Sequence, residues 1–192
     1  MSKYFFQPVT PFRLNQRFGE NQACVDLKTN SKYIVCDGNN PPTGYKSVYG
    51  PKGHLGIDLY ATHGTPVYAA CAGTVDSIDT NPRTGLDVKM VSEVGGKKYK
   101  HIYEHLLGYQ PKVGDWIEVG GLVGWADNTG YSAGDHLHFE LQEWIKGRWV
   151  SIDPLPLMDD IYALKFAGLW RQVKELTARV AELLADAARK KQ

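Results

Sequence analysis

Short runs of β-type residues recur along the first 157 residues, with clusters of Gly, Pro, Asn and Asp between them. The runs are KYIVC, PVYAACAGTVDSI, DVKMVSEV, KKYKHIYEHL, DWIEVGGLVGWA, HLHFELQEWI and RWVSI. The turn clusters are DGNNPPTG, TNPRTG, VGG, NTGYSAGD and KG. Evenly spaced short strands with turns between them are typical of antiparallel sheets. We therefore predict a mainly β fold over residues 1–157: a compact antiparallel domain that is sandwich-like or built on a barrel-like sheet.

The pattern changes after DPLPL. Residues 159–190 contain no proline and are rich in Ala, Leu, Lys, Arg and Glu, and Asp159 and Asp160 suit a helix N-terminus. Apolar residues recur at a three-four spacing: Phe166, Leu169, Val173, Leu176, Val180, Leu183 and Ala187. The pattern predicts a C-terminal amphipathic α-helix over residues 158–192. It docks on its own sheet, or it joins a second copy or a partner helix through residues 159–190.

Charge and hydropathy exclude several classes of partner. The net charge is +1, which gives no basic bias and argues against nucleic acid. The longest apolar runs fall far short of the roughly 20 residues that a membrane helix needs, so we expect no membrane insertion. The first ten residues, MSKYFFQPVT, contain no apolar segment of a secretory signal. Cys24 and Cys36 could pair across a short segment, whereas Cys71 is expected to be a small buried residue.

Five of the six histidines fall into three clusters. In GHLGIDL, His54 and Asp58 are four residues apart, and an imidazole with a carboxylate is a good pair of zinc ligands. In HLHFEL, His136 and His138 share one strand face. Three protein ligands suffice for a catalytic zinc, so His54, Asp58 and one histidine of the HLH pair would complete a site. Taken singly, each cluster is a weak signal, because an H-x-H pair in a strand is more often a pair of ordinary surface or core residues than a pair of ligands, and an H-x-x-x-D spacing is weaker still.

The third cluster is YKHIYEHL. Strict alternation predicts that one strand face carries Tyr99, His101, Tyr103 and His105. The opposite face would carry Lys98, Lys100, Ile102 and Glu104. We expect His101 to be a packed strand residue, with an orienting position behind His105 as the alternative.

The order of these motifs resembles the M23 metallopeptidases, the LytM and lysostaphin-type peptidoglycan endopeptidases. The similarity runs from about Phe12 to Leu141 through HLGIDL, GTPVYAACAGTV, YEHL, VGDWIEVGGLVG and NTGYSAGDHLHFEL. It implies that one Zn²⁺ per chain is held by His54, Asp58 and His138. It implies a catalytic pair, His105 and His136, and it places Tyr103 at the tyrosine of the substrate-binding Y-x-H element.

The resemblance also implies a function: a zinc-dependent endopeptidase that hydrolyses cross-link or stem peptides of bacterial peptidoglycan. Such a hydrolase would act at the cell wall after export by another route, after lysis, or on a phage particle. The alternative is a catalytically silent module of the same fold that binds or activates other wall enzymes, or a structural part of an assembly. The complete set of five residues favours the enzyme.

Three features depart from the family pattern. Asp135 stands where a proline or small residue is more common, which alters the polarity beside His136. His63 lies outside the family set, and we expect it to be a loop residue. The segment between LNQRFG, which resembles the family's entry strand, and His54 is long, and such loops line the groove in this family.

Overall fold

The computed structural model describes residues 4–19, 53–159 and Arg179. The predicted pairing of Cys24 with Cys36 lies outside these residues, as does the KYIVC strand. Twelve strands occur among them: β1 (Phe5–Phe6), β2 (Leu14–Gln16), β3 (Ile57–Tyr60), β4 (Pro66–Tyr68), β5 (Gly73–Asn81), β6 (Gly85–Val94), β7 (Lys97–Tyr109), β8 (Trp116–Ile117), β9 (Leu122–Ala126), β10 (His136–Ile145), β11 (Arg148–Ile152) and β12 (Met158–Asp159). A 3-10 turn, Leu155–Leu157, precedes β12.

Ten of these strands form one antiparallel sheet. Its main path is β2-β3-β10-β7-β6-β5-β8, with β11 beside β10 and β9 joining β4 to β7. The predicted mainly antiparallel β domain is confirmed. Within the described part of the chain, however, these ten strands share one hydrogen-bonded sheet rather than the two packed sheets of a sandwich, and β1 and β12 form a separate two-stranded sheet. The reason is the length of β7, whose first part pairs with β10 and whose end, from Leu106, pairs with β9.

The core lies on one face of this sheet. Alternate residues of the strands supply apolar side chains that are almost completely buried: Ile57, Leu59, Val88, Met90, Tyr99, Tyr103, Leu137, Phe139 and Leu141. The chain termini of the domain close against the same core, because β1 pairs in parallel with β12 and both Phe5 and Met158 are buried. The opposite face of the sheet is therefore the one that can carry polar groups.

The C-terminal boundary differs from the prediction by two residues. The chain divides into two units, Met1–Asp159 and Asp160–Gln192. Met158 and Asp159 were predicted to begin the helix, but they form β12, because Met158 fills a core position opposite Phe5. Apart from Arg179, whose backbone is helical, the rest of the predicted helix lies outside the described residues. No helix formed by the described residues is long and apolar enough to cross a membrane.

Candidate metal centre

The central strand β10 separates polar from apolar side chains as its alternation predicts. Leu137, Phe139 and Leu141 have no exposed surface and lie in the core. His136 and His138 alternate with them and therefore lie on the polar face.

Two neighbouring strands bring a carboxylate to His138. Strand β3 runs antiparallel beside β10, and Asp58 lies directly opposite His138 in the register. The Asp58 Oδ1 and His138 Nδ1 atoms are 2.9 Å apart. Burial alone would raise the pKa of Asp58, but its hydrogen bonds with His138 and His54 hold that pKa well below its usual range. Asp58 thus offers a buried, anionic oxygen to a metal ion.

His54 reaches the same point from the segment that precedes β3. His54 lies outside the strand that carries Asp58, because β3 begins only at Ile57. The chain bends here, and a Cβ on Gly56 would collide with the Phe139 carbonyl and lie 2.9 Å from His138 Nε2. Glycine therefore allows the bend to approach β10 closely.

The ring of His54 is oriented by the backbone. Its Nδ1 donates to the Arg17 carbonyl at 3.0 Å, which leaves the lone pair on Nε2. That Nε2 lies 3.0 Å from His138 Nδ1 and 3.1 Å from Asp58 Oδ1. Three potential ligand atoms thus form a nearly equilateral triangle.

The triangle fits a zinc ion. With metal–ligand distances of about 2.0–2.1 Å, tetrahedral geometry places neighbouring ligand atoms roughly 3.3 Å apart, so shifts of a few tenths of an ångström suffice. Two imidazoles with one carboxylate are a common donor set for zinc with an open position. Burial lowers the pKa of His138, but the hydrogen bond to Asp58 and the charge of Glu104 raise it to about 9. A divalent cation would replace the proton that joins His138 to Asp58.

His105 lies on the polar face because β7 is irregular at that residue. Strict alternation would place His105 on the same face as Tyr103, as the sequence predicted, and in the structure that is the core face. Instead the backbone of His105 has φ 62°, and the pairing of β6 with β7 shifts register between Leu86 and Val88. A β-bulge of this kind re-aims a side chain. The predicted shared face of His105 with Tyr103 is therefore wrong.

The bulge brings His105 next to the other two histidines of the polar face. Its ring centroid lies 4.7 Å from that of His136 and 6.1 Å from that of His138. His105 Nδ1 donates to the Thr129 carbonyl at 2.7 Å, which leaves the Nε2 lone pair available. Burial and the nearby His136 lower the pKa of His105 to about 4, so the ring is neutral at neutral pH.

His136 is held in the same way. Its Nδ1 donates to the Gly134 carbonyl at 2.8 Å, and its Nε2 lies 3.5 Å from Asp58 Oδ1. All five residues that the resemblance assigned to the metal and to catalysis are therefore gathered at one place on the sheet.

Comparison with known proteins identifies the family. Residues 52–154 match the family model described as Peptidase family M23. The chain belongs to peptidase family M23.

Two curated proteins are similar in sequence to this M23 domain. It is 33% identical over 128 residues to lysostaphin of Staphylococcus simulans, an alignment that covers 62% of this chain and 25% of lysostaphin. It is 31% identical over 130 residues to the peptidoglycan DD-endopeptidase ShyA of Vibrio cholerae, covering 67% of this chain and 29% of ShyA. The chain thus spans about a quarter of the length of these relatives.

Solved structures show the same fold. The catalytic domain of lysostaphin superposes with a TM-score of 0.56 at 25% identity, covering 76% of this chain and 90% of that domain. A zinc containing peptidase from Vibrio cholerae superposes with a TM-score of 0.53 at 25% identity, covering 78% of this chain and 39% of that protein.

The M23 domain does not place Tyr103 where a substrate could reach it. Tyr103 has no exposed surface, and its hydroxyl accepts from the Ala70 N–H at 2.8 Å and donates to His101 Nδ1 at 2.8 Å. The ring packs against Phe139 in the core. The prediction that Tyr103 binds substrate is wrong, because alternation in β7 directs it to the face opposite the metal centre.

His101 belongs to the same buried network. Because Nδ1 accepts from Tyr103, Nε2 carries the proton and donates to Ser92 Oγ at 2.8 Å, and Ser92 in turn donates to the Ala72 carbonyl at 2.6 Å. Burial lowers the pKa of His101 to about 3. The expectation of a packed strand residue is confirmed, and His101 does not stand behind His105. Cys71 is also buried, as predicted, and has no disulfide.

Two carboxylates beside His138 were not assigned from the sequence. Glu104 lies directly opposite His138 on β7, and Glu140 follows two residues later on β10. One ligand atom of each lies within 4.8 Å of a His138 nitrogen. Glu140 accepts from Gln142 and Ser151, whereas burial raises the pKa of Glu104 to about 7. The alternation of the two strands could have identified Glu104 and Glu140, because it places both residues on the polar face.

Asp135 and His63, two of the three departures from the family pattern, contact each other at the edge of the candidate metal centre. The backbone N–H of His63 donates to Asp135 Oδ2 at 3.0 Å, and the ring atom His63 Nδ1 lies 2.8 Å from Asp127 Oδ1. Asp127 also bonds through its backbone to both His105 and His136. His63 is an exposed loop residue, as predicted, and its contacts link the loop after β3 to the segments that hold His105 and His136.

Proposed function

We propose that this chain is a zinc-dependent endopeptidase that hydrolyses peptide bonds of bacterial peptidoglycan. The observation that carries the proposal is the donor triangle of His54, Asp58 and His138, with two further imidazoles beside it. The family membership and the names of the relatives support the same activity.

In this proposal His54 Nε2, Asp58 Oδ1 and His138 Nδ1 hold the zinc. When bound, zinc supplies a Lewis acid that polarises the scissile carbonyl and lowers the pKa of a coordinated water from 15.7 to roughly 7. Glu104 and Glu140 flank His138 and help to hold its ring in place.

His105 and His136 act as the general acid and base in this proposal. Each donates its Nδ1–H to a backbone carbonyl, so each presents the Nε2 lone pair to the reacting groups. Together they can accept a proton from the attacking water at one Nε2 and deliver one to the departing amine. General acid–base catalysis of this kind contributes about 10²–10⁴-fold to the rate.

The proposed site of action is the cell wall, because that is where the substrate lies. The bond cleaved is a glycine bridge or a link between D-alanine and a diamino acid. Mass spectrometry of fragments released from walls of each cross-link type distinguishes the two.

Zinc content and wall hydrolysis test the assignment of roles. We expect one zinc per chain by elemental analysis, and clearing of a peptidoglycan suspension. His138→Ala should lose zinc and activity together. His105→Ala should keep zinc and lose activity by about 10²–10⁴-fold. Arg148→Ala, which removes an exposed side chain on β11, is the matched control and should behave as wild type.

Two results would contradict the proposal. Protein that holds no zinc and clears no suspension after zinc is added is not this enzyme. Zinc-loaded protein that clears nothing by itself but stimulates another wall hydrolase would establish the silent, activating module instead.

A further inference from the structure

Tyr60 is an exposed aromatic residue beside the candidate metal centre. It is the last residue of β3, two positions after Asp58, so both side chains lie on the polar face. It is directly opposite His136 in the pairing with β10, which places the two Cβ atoms roughly 4.5–5.5 Å apart. Its side chain is 39% exposed. Tyr60 is therefore accessible to a molecule that contacts His136.

Arg13 lies on the far side of Tyr60. The Arg13 carbonyl accepts from the Tyr60 N–H at 2.8 Å, and its guanidinium carbon lies 5.1 Å from the centroid of the Tyr60 ring. The residues Arg13, Tyr60 and His136 thus form a row across three neighbouring strand positions. With about 4.7–4.9 Å between strands, Arg13 is roughly 10 Å from His136.

The guanidinium of Arg13 is available to a ligand. Its side chain is exposed, and within the described ranges it forms no ion pair with an acidic residue. Stacking on an aromatic ring leaves the N–H donors at the edge of the planar group free. Those donors match a carboxylate, which they bind through two parallel hydrogen bonds.

The polar face carries a guanidinium on one side of the donor triangle and two carboxyl groups on the other. Arg13 lies on the β2 side, whereas Glu104 and Glu140 lie on the β7 and β10 side next to His138. A peptide with a carboxylate at one end of its bound segment would therefore be attracted in one orientation, with that carboxylate toward Arg13. Substrate orientation would follow from this asymmetry.

We propose that Arg13 and Tyr60 form a subsite for a carboxylate-bearing group of the peptide substrate. This inference rests on the proposed function and names the substrate chemistry that the same site selects. Because an extended chain advances about 3.3 Å per residue, the carboxylate lies roughly three residues from the scissile bond. The Tyr60 ring packs against the intervening backbone, and Arg13 binds the carboxylate.

A pair of synthetic cross-linked peptides tests the subsite. The two peptides are identical except that one carries a free carboxylate and the other carries the primary amide at that position. Wild-type protein should have a kcat/KM about tenfold higher for the carboxylate peptide, the effect of one charged hydrogen-bonded contact. The difference should appear mainly in KM and should shrink with added salt.

Variants assign the preference to these residues. Arg13→Gln should reduce the ratio of kcat/KM values from about ten to about one, and Arg13→Lys should retain part of it because the charge remains while the planar fork is lost. Tyr60→Phe keeps the stacking surface and should retain the ratio, whereas Tyr60→Ala should lower it. The control, Arg148→Ala, removes an exposed arginine from β11 and should leave the ratio and both rates as in wild type.

The outcomes separate this inference from the proposed function. Equal efficiency on both peptides, or an unchanged ratio in Arg13→Gln, overturns the subsite and leaves the endopeptidase intact. Titration calorimetry with both peptides covers the case in which neither is cut. Preferential binding of the carboxylate peptide without hydrolysis overturns the proposed function alone, and equal binding overturns the subsite as well.

Discussion

The buried imidazole of His101 makes the stability of this domain depend on pH. His101 has no exposed surface, and burial lowers its pKa from 6.5 to about 3. In the unfolded chain the imidazole takes up a proton below about pH 6.5, whereas the folded protein keeps it neutral. The contribution to stability is therefore fully present above pH 6.5 and is lost progressively as the pH falls toward the folded pKa.

The size of this loss follows from the pH interval. Protonation of His101 in the unfolded chain lowers the free energy of unfolding by about 1.4 kcal/mol for each pH unit below the unfolded pKa. Because pH 5.0 lies 1.5 units below the unfolded pKa of 6.5, the free energy of unfolding falls by about 2 kcal/mol. The figure depends little on the folded pKa, because pH 5.0 lies well above it. His101→Gln removes the titrating group and should remove this part of the pH dependence.

Urea unfolding at pH 7.5 and pH 5.0, with equal total zinc in every buffer, measures the effect. The free energy of unfolding of wild type minus that of His101→Gln should fall by about 2 kcal/mol between the two pH values. Ser92→Ala is the control. It removes the acceptor of the His101 Nε2–H but keeps the imidazole buried, so its curve should run parallel to wild type, lower by about 1–3 kcal/mol. A constant difference between wild type and His101→Gln would refute the reasoning.

Three further predictions concern the rim, the bend before β3 and the C-terminal unit. The hydrogen bond and charge of Asp127 raise the pKa of His63, so the protonated form of His63 stabilises the folded state at low pH. In thermal unfolding, His63→Ala should therefore destabilise the domain at pH 5.5 and have little effect at pH 9, and an equal loss of stability at both pH values would contradict this. Gly56→Ala should destabilise by about 1–3 kcal/mol and weaken zinc binding in a chelator competition, because the added Cβ collides with the Phe139 carbonyl; a fully stable variant would exclude that collision. Light scattering should show a smaller oligomer for a chain that ends at Asp159 than for the full chain if residues 160–192 self-associate, and equal monomeric masses would remove that hypothesis.

Local pattern was enough to predict most of the strands. HLHFELQEWI coincides with β10 and RWVSI with β11, because a two-residue alternation followed by a Lys-Gly turn specifies a hairpin from neighbouring residues alone. The faces of β10 were predicted for the same reason. The end of the domain was less well predicted, since the role of Met158 depends on its distant partner Phe5.

The sequence by itself determined which residue types could form the candidate site, and the family resemblance selected five of them. Only the tertiary structure decided how they meet. His138 and Asp58 are separated by 80 residues in the chain, and their contact depends on the register between β3 and β10. The bulge at His105 moves that side chain to the polar face and so includes it in the site, whereas Tyr103 keeps the core face that alternation gives it. Alternation is a local property of one strand, whereas register and bulges are set by packing between strands that are far apart in sequence.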